Sequence, residues 1–323
     1  MKKLLAVVSI AAGLALSGSP AQAAAKSFPD RPLRLVVAYA PGGASDLLAR
    51  ALGQAITKET NQSVIVENRP GGSTTIGAEA VLSKPADGYT ALVVAASFVI
   101  NPHLLKLPYN AEKDFQPVTL LASNPHVLVV NPKVPANNLS EFLAWAKAQK
   151  GKATFSSFGN GSSGHIGFEL LEQMTGINML HIPYKGAAPA TLAVLTGEVD
   201  ATLGDIGVVE PHIQTGKLKA IAVTGEHRAP TLPKVATFAE SGLPGYSSQT
   251  WIGLWVRAGL PDDRLQRLNQ LFNQALQRPE IKALLAKQGM QARPSTVAEF
   301  TAFARKESDK YKTAIDKAHI HIN

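Results

Sequence analysis

The sequence contains no cysteine, so neither a disulfide framework nor a lipid-modified N-terminal cysteine is possible, and a structural zinc site would have to be built from scattered His and carboxylates. After the opening residues no uninterrupted apolar run reaches the roughly 20 residues needed to cross a bilayer. The longest, Ala91 to Ile100, suits a buried strand. There is no H-E-x-x-H, no G-x-x-x-x-G-K-[ST] nucleotide loop and no G-x-S-x-G elbow. The net charge is +8, or +6 once Lys2 and Lys3 are set aside. Its basic residues (Arg50, Lys58, Lys113, Lys147) are nevertheless spread singly, without the clustered patch of a nucleic-acid surface. This is a solvated surface with a mild bias towards anions. Repeats and low-complexity segments are also lacking.

What is present reads as an exported globular chain. Met1-Lys2-Lys3, an apolar run from Leu4 to Leu16 and the small residues up to Ala21-Gln22-Ala23 have the layout of a secretory signal, residues 1–23, with cleavage expected after Ala23 or, alternatively, Ala25. The mature chain is expected to be soluble and periplasmic. At 323 residues and 45% hydrophobic, two domains are the default. From Leu33 to Gly225 short apolar runs alternate with helical patterns, which predicts an α/β fold with mostly parallel sheets. Expected strands are 33–40, 63–67, 89–97, 118–121, 127–130, 154–157, 179–182, 201–203, 220–223 and 251–256. Expected helices include 139–149, 165–174, 262–277, one opened by Pro279, and one capped by Thr296 with Glu299. A long extended stretch follows Phe115 and suggests a crossover between domains. The expected division is 24–122 with 226–323 as one lobe and 123–225 as the other.

The functional signal lies in the loops that follow the strands. Tyr39-Ala40-Pro41-Gly42-Gly43-Ala44-Ser45-Asp46 turns the chain from a strand into a helix whose N-terminal amides favour an anion. Similar loops run from Asn68 to Gly77, from Gly159 to His165, and from Tyr184 to Pro189. Gly159-Asn160-Gly161-Ser162-Ser163-Gly164 matches G-x-G-x-x-G, but the acid that a dinucleotide site needs about 20 residues later is replaced by Lys185. A loop of amides and hydroxyls holding a carboxylate is the preferred reading. Asp46 either caps its own helix or orients a ligand amine or water. Lys185 either lends charge to the site or faces solvent. His165 donates to a ligand oxygen or to the neighbouring loop. Asp205, at a strand end, suits a ligand with a donor. A periplasmic hydrolase using Ser162 or Ser163 with His165 is the alternative from another class.

Y-A-P-G-G-A-S-D, E-N-R-P-G-G, N-G-S-S-G-H, P-Y-K-G-A-A-P-A, G-K-L-K-A-I-A-V-T and E-S-G-L-P-G-Y, in this order, resemble the Bug family of periplasmic receptors, the substrate-binding proteins of tripartite tricarboxylate transporters. The resemblance runs from about Phe28 onwards. It implies a two-domain Venus-flytrap of the type II periplasmic binding protein class that closes on di- or tricarboxylates, acidic amino acids or aromatic acids. It also implies delivery to membrane permease subunits or, as a further alternative, presentation to a sensor. No cofactor, no enzymatic activity and a monomer are expected. Carried over by position, the clamp loops are Pro41–Asp46 and Gly71–Gly77, and the other lobe supplies Asn160, Gly161, Ser162 and His165, with Asp205 near the variable end of the ligand. The candidate ligand-binding set is therefore Tyr39, Pro41, Gly42, Gly43, Asp46, Thr74, Thr75, Ser97, Asn160, Gly161, Ser162, His165, Lys185 and Asp205. Two departures fall where specificity is set. Gly71-Gly72-Ser73-Thr74-Thr75-Ile76-Gly77 stands where G-A-G-G-N-I-G is usual, and Leu203-Gly204-Asp205-Ile206 stands where F-D-N-L is usual.

Overall fold

The computed structural model describes residues 28–318; the expected signal sequence lies outside the described residues. The first sheet begins with β1 (Leu33–Val37), β2 (Val64–Asn68) and β3 (Thr90–Ala95), paired in parallel through α1 (Ala44–Thr60) and α2 (Thr75–Leu82). Short helices α3 (Ser97–Ile100) and α4 (Ala111–Asp114) lead into β4 (Phe115–Val130). The second sheet is built from α5 (Leu139–Ala148), β5 (Thr154–Ser157), α6 (Ser163–Thr175), β6 (Leu180–Pro183), α7 (Ala187–Thr196), β7 (Ala201–Asp205), α8 (Ile206–Gln214) and β8 (Lys219–Val223). The chain then returns with β9 (Gln249–Arg257), α9 (Asp262–Leu276), α10 (Pro279–Lys287), β10 (Gln291–Ala292) and α11 (Val297–Ala318).

The strand order is β2-β1-β3-β9-β4-β7-β5-β6, with β8 and β10 also on β4. β4 is a single strand of 16 residues, where two strands and an intervening stretch were expected. Up to Pro125 it pairs antiparallel with β9; from His126 it pairs antiparallel with β7 and β8. The sheets are mixed rather than mostly parallel, because the returning β9 is antiparallel to both β3 and β4.

Each sheet is covered on both faces, so its strands alternate between two cores. Leu33, Leu35 and Val37 pack towards α1, α9 and α10, while Val36 and Ala38 pack towards α2, α3 and α11. In the second sheet Leu128 and Val130 face α5 and α6, and Val127 and Val129 face α7 and α8. The helices present matching stripes. In α9 the buried apolar set is Leu265, Leu268, Leu271, Phe272, Ala275 and Leu276, the spacing of one helix face. The α11 cap is complete: Thr296 N–H donates to Glu299, and Glu299 N–H donates to Thr296 Oγ1.

Behind β4 the two lobes touch directly. Ile166 of α6 is buried in the cluster that holds Trp251, Phe300 and Tyr311, and Gln173 Nε2 donates to the Ala314 carbonyl at 2.6 Å. Gly207 of α8 lies against the chain after α10, where an added Cβ would sit 2.3 Å from the backbone of Gln288. Backbone cannot rotate aside as a side chain can. Gly207→Ala should therefore cost about 1–3 kcal/mol, seen as a lower urea midpoint with an unchanged slope. An unaltered midpoint would show that the lobes do not abut at this point.

Candidate functional site

Where the lobes face each other they enclose a cleft of about 470 Å³. From the first lobe, β1 delivers Tyr39 and β3 delivers Ser97. The Ala95 N–H donates to Tyr39 Oη at 3.0 Å, and Tyr39 Oη lies 2.7 Å from Ser97 Oγ, a contact in which either hydroxyl can donate. Burial, the largest influence, raises the Tyr39 hydroxyl above its ordinary pKa and keeps it a neutral donor. The loop before α2 also lines the cleft, through Pro70, Gly71, Ser73 and Thr74. Gly71, Gly72, Ser73 and Thr74 all have positive φ, at 116°, 55°, 51° and 79°. Four left-handed residues in a row, two of them with side chains, mark backbone held in place by its surroundings. Asn101 secures the run by donating to the Ser73 carbonyl at 2.6 Å.

From the second lobe come Phe158, Asn160, Gly161, Ser162 and Ser163, at the N-terminus of α6, then Ala187 at the start of α7 and Asp205 at the end of β7. Ser162 is the N-cap of α6, accepting from the His165 amide at 3.3 Å. His165 is buried and accepts the Gly161 N–H on Nδ1 at 3.2 Å. Its proton therefore sits on Nε2, 3.5 Å from Glu169. The ring stacks on His181 with centroids 3.9 Å apart, and burial, the largest influence, pushes His181 down to about 3. His165 thus shapes the loop from beneath. Asp205 shows about a fifth of its side chain to the cleft (22%), yet burial pushes its carboxyl up to about 6, against the opposing hydrogen bond from Thr250.

Of the residues expected from sequence, Tyr39, Thr74, Ser97, Asn160, Gly161, Ser162 and Asp205 line this cleft together. Pro41, Gly42 and Gly43 are exposed at its edge, Thr75 opens α2, and Lys185 is exposed on the β6–α7 turn. Asp46 is buried and serves the loop: Oδ2 accepts the Gly42 N–H at 2.9 Å, Oδ1 accepts from Asn68 at 2.9 Å, and Arg50 lies at 3.0 Å. Sequence reasoning missed Thr250, Asn101 and Phe158. Thr250 and Asn101 join the cleft through long-range contacts that no local signal marks, whereas Phe158 directly precedes the Gly159–His165 loop. It also missed His126, which sits behind Asp205. With both ring nitrogens of His165 directed elsewhere, neither Ser162 nor Ser163 has the imidazole partner a hydrolase would draw from it. No group of His, Asp and Glu among the described residues is arranged to hold a metal ion. A second cavity of about 350 Å³ lies away from the cleft, between α3 and α11, and is lined largely by apolar side chains such as Val99, Phe115 and Trp255.

Two α/β lobes joined at a shared strand, with loops from both facing one cleft, make a solute-binding receptor. The chain belongs to the tripartite tricarboxylate transporter receptor family, whose model matches residues 48–320. It is 34% identical over 292 residues to BugT of Bordetella pertussis, spanning 90% of this chain and 89% of that one. Among solved structures, the R. palustris protein Rpa4515 with adipate is 28% identical, with TM-score 0.79 over 91% of this chain and 99% of that one. MatC from Rhodopseudomonas palustris with bound malate is 28% identical, with TM-score 0.75 over 89% and 100%. Members of the family are solute-binding receptors rather than enzymes.

The Asp46 contacts give a pH signature. Burial alone would raise its carboxyl, but Arg50, the Gly42 amide and Asn68 together hold it below the ordinary 3.8. A lowered carboxylate stabilises the fold above its unfolded pKa, and that stability is lost as the pH falls through the folded one. Asp46→Asn should lower stability by about 1–3 kcal/mol at pH 7. The gap to wild type should close as denaturation is repeated at progressively lower pH below about 4. A gap independent of pH would mean that the charge is not what matters.

Proposed function

We propose that the cleft captures a small organic carboxylate from the periplasm and that the loaded protein delivers it, as a monomer, to membrane permease subunits of a tripartite tricarboxylate-type transporter. The lobes that close on it are taken as 24–122 with 226–323, and 123–225. One observation carries the ligand class. The described residues lining the cleft include Gly71, Ser73 and Thr74 from the loop before α2 and Asn160 to Ser163 from the loop before α6, and no Lys or Arg. Such a site recognises negative charge through N–H groups and hydroxyls. Hydrogen bonds to a charged group contribute about 1.5–3 kcal/mol each, so four or so reach the roughly 8 kcal/mol of a micromolar complex before the cost of association. The similar proteins with adipate and with malate support a dicarboxylate or hydroxy-dicarboxylate.

In this reading Tyr39, Ser97, Thr74 and the 41–46 loop meet the ligand from one lobe. Asn160, Gly161, Ser162 and Asp205 meet it from the other, with His165 fixing the loop and Lys185 at the rim. Closure would then be favoured by contacts that only the closed form makes. A thermal-shift screen of residues 24–323 against adipate, malate, succinate, acidic amino acids and benzoate tests the class. A carboxylate at 100 times its dissociation constant should add about 2.7 kcal/mol, and its amide should add nothing. Protein freed of co-purified ligand that responds to none of these anions would refute a carboxylate receptor.

A further inference from the structure

Four polar contacts in series run from the cleft floor through the hinge. Asp205 Oδ1 is 2.9 Å from Thr250 Oγ1, which is 3.0 Å from His126 Nε2; His126 Nδ1 is 2.8 Å from Ser248 Oγ, which is 3.2 Å from the Ser163 carbonyl oxygen. A contact between two such polar atoms at hydrogen-bond distance calls for one hydrogen between them. Thr250, a neutral imidazole and Ser248 supply one each along this line. Three hydrogens cannot fill four contacts. A second hydrogen on the ring would put a charge on a fully buried imidazole, which burial, with the charge of Lys310 adding to it, opposes by pushing His126 down to about 3. The Ser163 hydroxyl stands off the line, 3.5 Å from His126 Nε2 and 3.3 Å from Thr250 Oγ1, and itself faces the cleft.

The fourth hydrogen belongs on Asp205. With it, every donor points the same way: Asp205 to Thr250, Thr250 to Nε2, Nδ1–H to Ser248, and Ser248 to the Ser163 carbonyl at the first turn of α6. Without it the three hydrogens re-sort. Thr250 donates to the carboxylate, Nε2–H follows it, and Ser248 turns to Nδ1, releasing Ser163. We propose that the anion-loaded receptor carries Asp205 protonated and His126 as its Nδ1–H tautomer, so that capture of the anion takes up a proton from solvent. His126 is then a positioning residue. It stores the proton's direction inside the protein and leaves the other oxygen of Asp205 as an uncharged acceptor, which suits an acid bearing a hydroxyl or amine.

The groups around Asp205 agree. His126 from β4 faces it at 3.6 Å and is neutral, Thr250 from β9 and Ser163 from α6 carry no charge, and Lys310 of α11 acts on His126. Burial already raises the free carboxyl to about 6, and a bound anion nearby raises it further. The ligand in this account rests on the carboxylate reading above, whereas the hydrogen count does not.

Two measurements separate them. Long-range proton–nitrogen NMR on nitrogen-15 histidine, with His126 assigned through the backbone, should show the ligand-free protein as Nδ1–H at pH 5 and Nε2–H at pH 8. Asp205→Asn should keep one tautomer at both. Calorimetric titration of malate at pH 7.5, in buffers of different ionisation enthalpy, should show uptake approaching one proton in wild type and none in Asp205→Asn. One tautomer at both pH values in wild type, or malate binding without proton uptake, overturns the proposal. If malate gives no heat at all, the carboxylate reading is weakened and the tautomer measurement alone decides.

Discussion

β4 gives its backbone hydrogen bonds to β9 before Pro125 and to β7 and β8 after it, so the two lobes are not separate bodies tied by a flexible cord. A strand that serves two sheets must change partners somewhere, and the changeover is where its unpaired polar groups have to be satisfied by other means. Thr224 does this at the junction, accepting the His126 N–H at 2.8 Å and donating to the His126 carbonyl at 3.0 Å. Pro125, which has no N–H to place, falls at the same point. The cleft lies directly in front of this junction and the α6–α11 contact directly behind it. The lobes therefore meet across a buried polar seam.

Electrostatics at the cleft follow from the same layout. Parallel strand–helix units put helix N-termini and their preceding loops at one end of each sheet, and two lobes facing each other double the supply of outward amides. Folding has spent some of these on itself: Asp46 takes the Gly42 amide and His165 takes that of Gly161. What is left for a ligand is a directional set of donors without a buried guanidinium, which can hold a carboxylate without a fixed charge that must be neutralised when the cleft is empty.

Much of this was legible from local chemistry. Thr154–Ser157 forms its strand within the expected limits, and the Thr296/Glu299 box opens α11. The loops lining the cleft were visible because Gly, Pro and Ser declare turns by themselves. β4 was not legible. Ser123-Asn124-Pro125-His126 has the composition of a break, yet all but Pro125 are at least 95% buried, because the junction of two lobes supplies polar partners that hydropathy does not foresee. Thr250 and His126 were hidden for the same reason: they meet only through pairings spanning more than a hundred residues.

The left-handed run from Gly71 to Thr74 has a kinetic meaning. Ser73 and Thr74 hold torsions that a free chain seldom visits, and folding imposes them before any ligand arrives. A loop whose torsions are set by folding has less ordering entropy left to lose when it meets a ligand. Under the receptor reading proposed above, the approach of solute to this loop is then limited by diffusion and by the other lobe rather than by folding of the cradle.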